Sequence, residues 1–222
     1  MPPMPSVDEI VAAIQAKDVA AAEKLLAQDA SLAHAKRDGG SMLMLAAYHR
    51  AAAIVDLLMR HGARPDVCEA AAIGRLDRVR ELVNAGGLRG TSHDGWTPLH
   101  LAAHFGQKDV VAYLLAQGAD VDARSRNPLG NTPLHAAAAG GAPTCVALLL
   151  RQGADPNAAY LDGLTALHVA ASNGDDATAR ILLASKAEPD MRTHEGKSAL
   201  DLAQEKGHER VARLLLQATG KA

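Results

Sequence analysis

Large rings are almost missing from this chain, with one Trp, one Phe and three Tyr among 222 residues. A deep globular core of that length normally uses more of them. Alanine is abundant in their place, so the composition points to a thin, layered stack of closely spaced helices. Cysteine is scarce too. Cys68 and Cys145 both fall in apolar, alanine-rich stretches, which predicts reduced, buried thiols in a cytoplasmic protein and no disulfide. Neither sign of charge dominates, since 23 Lys and Arg stand against 25 Asp and Glu. A groove for nucleic acid draws on a basic surplus, and none is visible, so no nucleic-acid partner is expected. No apolar run approaches the ~20 residues that cross a bilayer. Met1 to Ile10 also lack the basic start and apolar stretch of a secretory leader. No membrane partner is therefore expected.

What the sequence does have is repetition, the first feature to look for. Thr97-Pro98-Leu99-His100-Leu101-Ala102-Ala103 returns as Thr132-Pro133-Leu134-His135-Ala136-Ala137-Ala138. It returns again as Thr165-Ala166-Leu167-His168-Val169-Ala170-Ala171, and more loosely from Ser198. Thr132, Thr165 and Ser198 follow one another at 33 residues, whereas Thr97 precedes Thr132 by 35, the excess lying around Arg126-Asn127-Pro128. Each position has a physical task. The Thr or Ser hydroxyl accepts an orphan amide of a helix's first turn. The proline after it has its φ preset for that turn. Leucine and paired alanines make a slim face that a neighbouring helix can approach. Gly106, Gly141, Gly174 and Gly207 then end the helix. A second helix follows with apolar pairs one turn apart, such as Val110-Val111 and Leu114-Leu115, closed by Gly118 or Gly153. A tight turn, Asp94-Gly95 or Asp162-Gly163, leads back to the next cap.

In this co-occurrence of caps, glycines and apolar pairs the chain resembles the ankyrin-repeat family, whose repeat is a β-turn and two antiparallel helices. The resemblance implies an all-α fold with short β-hairpin fingers, an ankyrin-repeat solenoid of stacked helix-turn-helix units in one domain, 1–222. The register divides it into a degenerate N-terminal capping repeat, 1–37, with Asp8 as its cap, and a second repeat, 38–64, opened by Ser41. A shortened, atypical third repeat, 65–93, has Pro65 at the cap position. Three regular repeats, 94–126, 127–159 and 160–192, precede a C-terminal capping repeat, 193–222. Ser41 and Pro65 are only 24 residues apart, so a finger is expected to be missing there. The row of fingers should then be split, continuous only from about Thr91 onward. Charged residues mark both ends, Asp8 and Glu9 at one, Glu205, Glu209 and Arg210 at the other, as the outer faces of a stack require. No stretch is left for a separate catalytic domain.

Several patterns imitate chemistry. His100 and His104 lie four apart, a spacing that can set two metal ligands on one helix face. No nearby Cys or paired acid completes a set. The resemblance implies instead that His100, His135 and His168 hydrogen-bond structurally between neighbouring repeats. Gly196-Lys197-Ser198 imitates the end of a phosphate-binding loop, but Met191 stands where that loop needs glycine. There is no Gly-x-Ser-x-Gly elbow. No enzyme activity, metal, cofactor or small-molecule substrate is expected.

What remains is a monomeric protein-binding module, an adaptor, inhibitor or regulator. The alternative is a structural scaffold that uses the same surface to self-associate. The resemblance implies docking on a concave wall of finger tips and first-helix ends. By register, the finger row contributes His93, Trp96, Arg124, Arg126, Leu129 and Asn131, then Tyr160, Leu161, Leu164 and Arg192. The helix row contributes Tyr48, His104 and Phe105. Four of the five aromatic rings fall on this wall, the competing reading of Trp96 and Phe105 being that they pack on an adjacent finger. Trp96, Phe105, Arg126, Leu129 and Tyr160 lie nearest its centre, where binding energy concentrates. Leu129 occupies the place that Asp94 and Asp162 fill elsewhere, an exposed apolar residue in exchange for a turn former. Leu129→Asp or Tyr160→Ala is therefore expected to weaken partner binding and leave the melting temperature nearly unchanged.

Overall fold

A computed structural model describes residues 5–220. Fourteen α-helices among them form antiparallel pairs. These are α1 (Val7–Ala16) with α2 (Val19–Gln28), α3 (Met42–Tyr48) with α4 (Ala52–Arg60), and α5 (Val67–Ala72) with α6 (Leu76–Asn84). Then come α7 (Pro98–His104) with α8 (Lys108–Ala116), and α9 (Pro133–Ala139) with α10 (Pro143–Arg151). The last are α11 (Ala166–Asn173) with α12 (Asp176–Ala184), and α13 (Ala199–Glu205) with α14 (Glu209–Ala218). First helices pack on first helices, α5 on α7 and so on to α13, while second helices pack on second helices. The result is an all-α solenoid two helices thick. Two short antiparallel hairpins complete it, β1 (Lys36–Arg37) with β2 (Gly40–Ser41) and β3 (Ala159–Tyr160) with β4 (Leu164–Thr165). No helix among the described residues is long and apolar enough to cross a membrane.

The first helices begin where the sequence supplies an acceptor. Ser41 takes the Met44 amide at 3.2 Å, and Ser198 shares a reciprocal box with Asp201. Two caps differ from the expected ones. α1 is capped by Ser6 and not by Asp8, because Ser6 and Glu9 satisfy each other's backbone amides. α5 is capped by Asp66 and not by Pro65, with Glu69 returning the bond. A capping box needs an acceptor at the cap and a second acceptor three residues on, and a proline side chain offers none.

The core is a row of leucines and alanines. Leu99, Leu134 and Leu167 are buried, each contributing about 1.5–3 kcal/mol by leaving water. Ala102-Ala103, Ala137-Ala138 and Ala170-Ala171 are fully buried between successive first helices. One apolar cluster runs from Ala70 to Leu215, and a separate one from Ile10 to Ala63. A small third cluster joins them, made of Met44, Ala47, Cys68, Ala72 and Leu101 with Trp96 and Phe105 against it. The division falls where α4 passes to α5 with no hairpin between them.

As expected, no finger stands between α4 and α5 and the row of fingers is interrupted there, but side chains of the neighbouring pairs span the break. The short third pair lets its neighbours close over it. The Tyr48 hydroxyl at the end of α3 donates to Asp94 Oδ2 at 3.0 Å, and its ring meets Phe105 edge-on at 5.2 Å. The His93 ring lies over Gly39 and Gly40 of the β1–β2 hairpin. Arg50 reaches past two pairs to donate to the Gly140 carbonyl at 3.2 Å. Helices packed at ordinary separations, about 8–10 Å, would hold α3 and α9 beyond such reach in a straight row, so the row bends toward this side. A cleft of about 590 Å³ remains at the seam, lined by Ala46, Arg50, Val55, Ile73, Phe105 and Pro143 among others.

Trp96, the single tryptophan, sits in the joining cluster and reports on the seam. Tyr48→Ala removes the ring contact and the bond to Asp94 together. In this variant α1–α4 should come loose before the rest, so that denaturation followed by Trp96 fluorescence precedes denaturation followed by helical circular dichroism. Coincident curves would show that the seam couples as tightly as the other interfaces.

Lys186 stands where other second helices close on glycine and adopts φ 68°, the left-handed region, while Gly153 has φ 90° with open space around a would-be Cβ. A Cβ in that conformation costs roughly 1 kcal/mol, about what glycine loses in chain entropy. Lys186→Gly should be neutral or mildly stabilising in urea melts, whereas Gly153→Lys should destabilise by about 1 kcal/mol. Equal losses for both would refute this account of the turn.

Candidate functional site

The loops that precede α7, α9, α11 and α13 form the fingers, and each is closed by its own backbone. Before α7, Ser92 donates to the Trp96 carbonyl at 2.8 Å; before α9, Ser125 donates to Asn131 at 2.9 Å. Before α11 the closure is the β3–β4 ladder, and before α13 it is a single bridge between Arg192 and Ser198. Neighbouring fingers are then linked. The Arg126 amide donates to the Gly95 carbonyl at 2.8 Å, Leu161 to Leu129 at 3.3 Å, and His194 to Asp162 at 2.7 Å. The tips therefore form one hydrogen-bonded edge. Gly95 has to be glycine for the first link, because a Cβ there would lie 2.8 Å from the Asn127 nitrogen.

The finger before α9 is the longest, and Asn127 organises its extra residues. Its amide group donates to the Asp94 carbonyl at 3.1 Å, and its Oδ1 accepts the Leu129 amide at 3.1 Å. Arg124 clamps the same finger to the next by donating to the Gly130 carbonyl at 3.0 Å and to the Ala159 carbonyl at 2.7 Å. Leu129 and Leu161 are left projecting from adjacent tips, 41% and 45% exposed.

The expected wall residues fall into two neighbourhoods. Tyr48, Trp96, His104 and Phe105 assemble at the seam, where Trp96 meets His104 edge-on at 5.3 Å and His104 meets Phe105 at 4.9 Å. Tyr48 is 42% exposed, while the other three are half-buried. His93 is exposed beside them. The second neighbourhood holds Arg124, Arg126, Leu129, Tyr160, Leu161 and Leu164. Tyr160 is half-buried against His135 at 4.5 Å and pairs with Leu164 across the hairpin. Arg192 lies further along, bonded to the Gly196 carbonyl and 3.5 Å from Asp201. Asn131 does not belong to the wall. It is only 5% exposed, because its carbonyl turns inward to His100. Arg50 and its link to Gly140 were not read from the sequence, although Arg50 follows Ser41 at the offset that glycine occupies in later repeats.

Behind the fingers two of the motif histidines, His100 and His168, tie their helices to the loop that follows. The Thr132 and Thr165 amides donate to Nδ1 of His135 and His168. Nδ1 is therefore the acceptor, and the proton sits on Nε2. His168 Nε2 donates to the Met191 carbonyl at 3.1 Å, and His100 Nε2 donates to the Asn131 carbonyl at 2.9 Å. Burial pushes His100 and His135 down to about 4 and lowers His104 and His168 as well. It raises the Cys68 thiol to about 12, with Asp66 and Asp94 adding to the effect. The Tyr48 hydroxyl is raised by burial and then by Asp94. These shifts favour neutral groups and create neither a nucleophile nor a base near pH 7. Gly196-Lys197-Ser198 is the tip of a finger, its lysine paired with Glu205 at 2.9 Å.

Comparison with known proteins agrees with this architecture. The family model described as ankyrin repeats (3 copies) matches residues 67–160 and again 148–221. Among curated relatives, Ankyrin repeat and SAM domain-containing protein 6 of Rattus norvegicus is 43% identical over 75 residues, 33% of this chain and 8% of that protein. Protein phosphatase 1 regulatory subunit 27 of Mus musculus is 43% identical over 56 residues, 25% of this chain and 36% of that protein. Oxysterol-binding protein-related protein 1 of Mus musculus is 48% identical over 52 residues, 23% of this chain and 5% of that protein. The chain spans well under two thirds of the length of each.

The buried histidines make the wall sensitive to acid. His100 and His135 titrate near 4 when folded and near 6.5 when unfolded, so between those values the unfolded chain holds more protons. Their contribution is complete above about pH 6.5 and is lost as the pH falls toward 4. Urea midpoints should drop steadily between about pH 7 and 4.5. A midpoint independent of pH across that window would show that the rings take up protons without losing their bonds.

Proposed function

Since the chain belongs to the ankyrin-repeat family, whose repeats are generally protein–protein interaction modules, we propose that it is a non-catalytic adaptor, inhibitor or regulator that holds a partner protein on its concave wall. The observation that carries this reading is the pair of leucines at the tips before α9 and α11. Two leucines on adjacent, backbone-linked tips make an apolar patch and not a scattered exposure, and such patches can mark contact surfaces. The buried free thiols Cys68 and Cys145 suit a reducing, cytoplasmic setting. The regulatory-subunit relative favours a regulator over a passive spacer. Tyr48 extends the wall toward the seam, and Trp96 and Phe105 support it from behind.

Leu161→Asp tests this directly. A partner captured by the intact chain should lose at least tenfold in affinity, about 1.4 kcal/mol, while the melting temperature stays nearly constant. Unaltered affinity would place the contact elsewhere, and loss of a self-assembly seen by light scattering would favour the scaffold reading. Tyr160→Ala is a poorer probe than its sequence position suggests. Its edge-to-face contact with His135 contributes about 0.5–1.5 kcal/mol to folding, so both affinity and stability should fall.

A further inference from the structure

We propose that the tips before α9 and α11 form a preorganised apolar and basic platform for one kind of partner segment, an apolar side chain flanked by carboxylates on its Leu129 side. This rests on the docking surface assigned above and adds its chemical preference.

The argument comes from charge bookkeeping along the wall. Three cations on the outer fingers are paired within the chain, Lys36 having no ion pair among the described residues. Arg37 pairs with Asp8 and Asp38, Arg192 with Asp201, and Lys197 with Glu195 and Glu205. In the middle this stops. Arg124 bonds only to carbonyl oxygens, and no ion pair among the described residues joins Arg124 or Arg126 to a carboxylate. Arg126 is exposed and its backbone amide is fixed on Gly95, so the position from which its guanidinium extends is set by the fold. Of the nearby acids, Asp94 on the preceding finger is held by the Tyr48 and Ser92 hydroxyls, Asp122 accepts the Asp155 amide at 3.2 Å, and Asp162 follows Leu161 in the sequence. The Leu129 finger therefore carries two guanidinium groups with no ion pair among the described residues, whereas the Leu161 finger carries Asp162.

The platform is also rigid. Asn127, Arg124 and the Leu161 to Leu129 bond fix both tips before a partner arrives, which lowers the ordering cost of binding. Apolar contact with the leucines would shield an arginine–carboxylate pair from water, where such a bond is worth more than at an open surface. A basic segment would face Arg124 and Arg126 without compensation.

The experiment uses the full chain with 13C-labelled leucine methyls and three synthetic peptides of equal length. The first places Asp and Glu before a leucine, the second replaces those acids with Lys, and the third replaces the leucine with Ser. The first should shift the Leu129 and Leu161 methyls, more weakly as salt rises, and Arg126→Ala should cut its affinity at least fivefold. Arg126→Glu should transfer the preference to the lysine peptide. Arg126 contacts no carboxylate, so both variants should stay folded. Equal binding of the lysine peptide, or indifference to Arg126→Ala, would overturn the acidic preference and leave the docking surface standing. Absence of any shift at the two leucines would overturn the platform itself. Retention of the protein partner by Leu161→Asp, by contrast, removes the docking surface on which both depend.

Discussion

How near one first helix can come to the next governs everything else in this molecule. Paired alanines such as Ala102-Ala103, Ala137-Ala138 and Ala170-Ala171 sit between successive first helices, where their small side chains admit a short step. That step is inherited by the loops attached to the helices. It brings one finger within reach of the next, so that a single backbone amide can bridge them, as at Arg126 to Gly95 and His194 to Asp162. It also lets a buried histidine reach a carbonyl of the loop that leads to the next first helix. A larger residue in the alanine row would push both sets of bonds apart at once. The scarcity of aromatic residues thus follows from the spacing, and none of the five rings is fully buried.

The seam is the exception to this regular step, and it is closed by different means. With no finger before α5, the third pair cannot carry the edge from its predecessor to its successor. Polar and aromatic side chains span the break instead, through Tyr48 to Asp94 and Phe105, His93 over the β1–β2 turn, and Arg50 to Gly140. These contacts bury less continuous apolar surface than an alanine interface, which is why the core divides there into two clusters with a small bridge. Arg50 adopts φ 53°, as glycine does at the matching place in later pairs. A side chain in that strained conformation is accounted for if its reach across the cleft holds the bend.

The regular part of the fold was legible because its chemistry is local. Thr97, Pro98 and Gly106 each act within a few residues of themselves, so their spacing marks a helix without knowledge of what it packs against. The caps of the irregular pairs were misplaced by one or two residues, because Ser6 and Asp66 belong to boxes completed by Glu9 and Glu69 and not to the repeating motif. The closed seam was not legible at all. Tyr48 and Asp94 lie 46 residues apart, and only the absence of a finger between them makes them neighbours. On the wall, register could name Leu129, Leu161 and Tyr48 as surface positions. It could not show that Asn131 turns inward or that Tyr160 leans on His135, since both depend on contacts between repeats.

The docking surface proposed above depends most on the insertion around Arg126-Asn127-Pro128. Lengthening a loop by two residues is thermodynamically cheap, because even doubling a loop costs only about 0.6 kcal/mol in closure entropy. It also does nothing for the stack, since α7 still packs on α9 and α8 on α10. Yet the added residues are tightly ordered, with Asn127 bonding forward to Leu129 and back to Asp94. An exposed leucine and a hydrated arginine cost the fold little, since both are equally solvated in the unfolded chain, so the ordering of this finger rests on the Asn127 bonds. The docking surface proposed above would thus rest on backbone that is already ordered, since the same two Asn127 bonds fix the tip from which Leu129 projects.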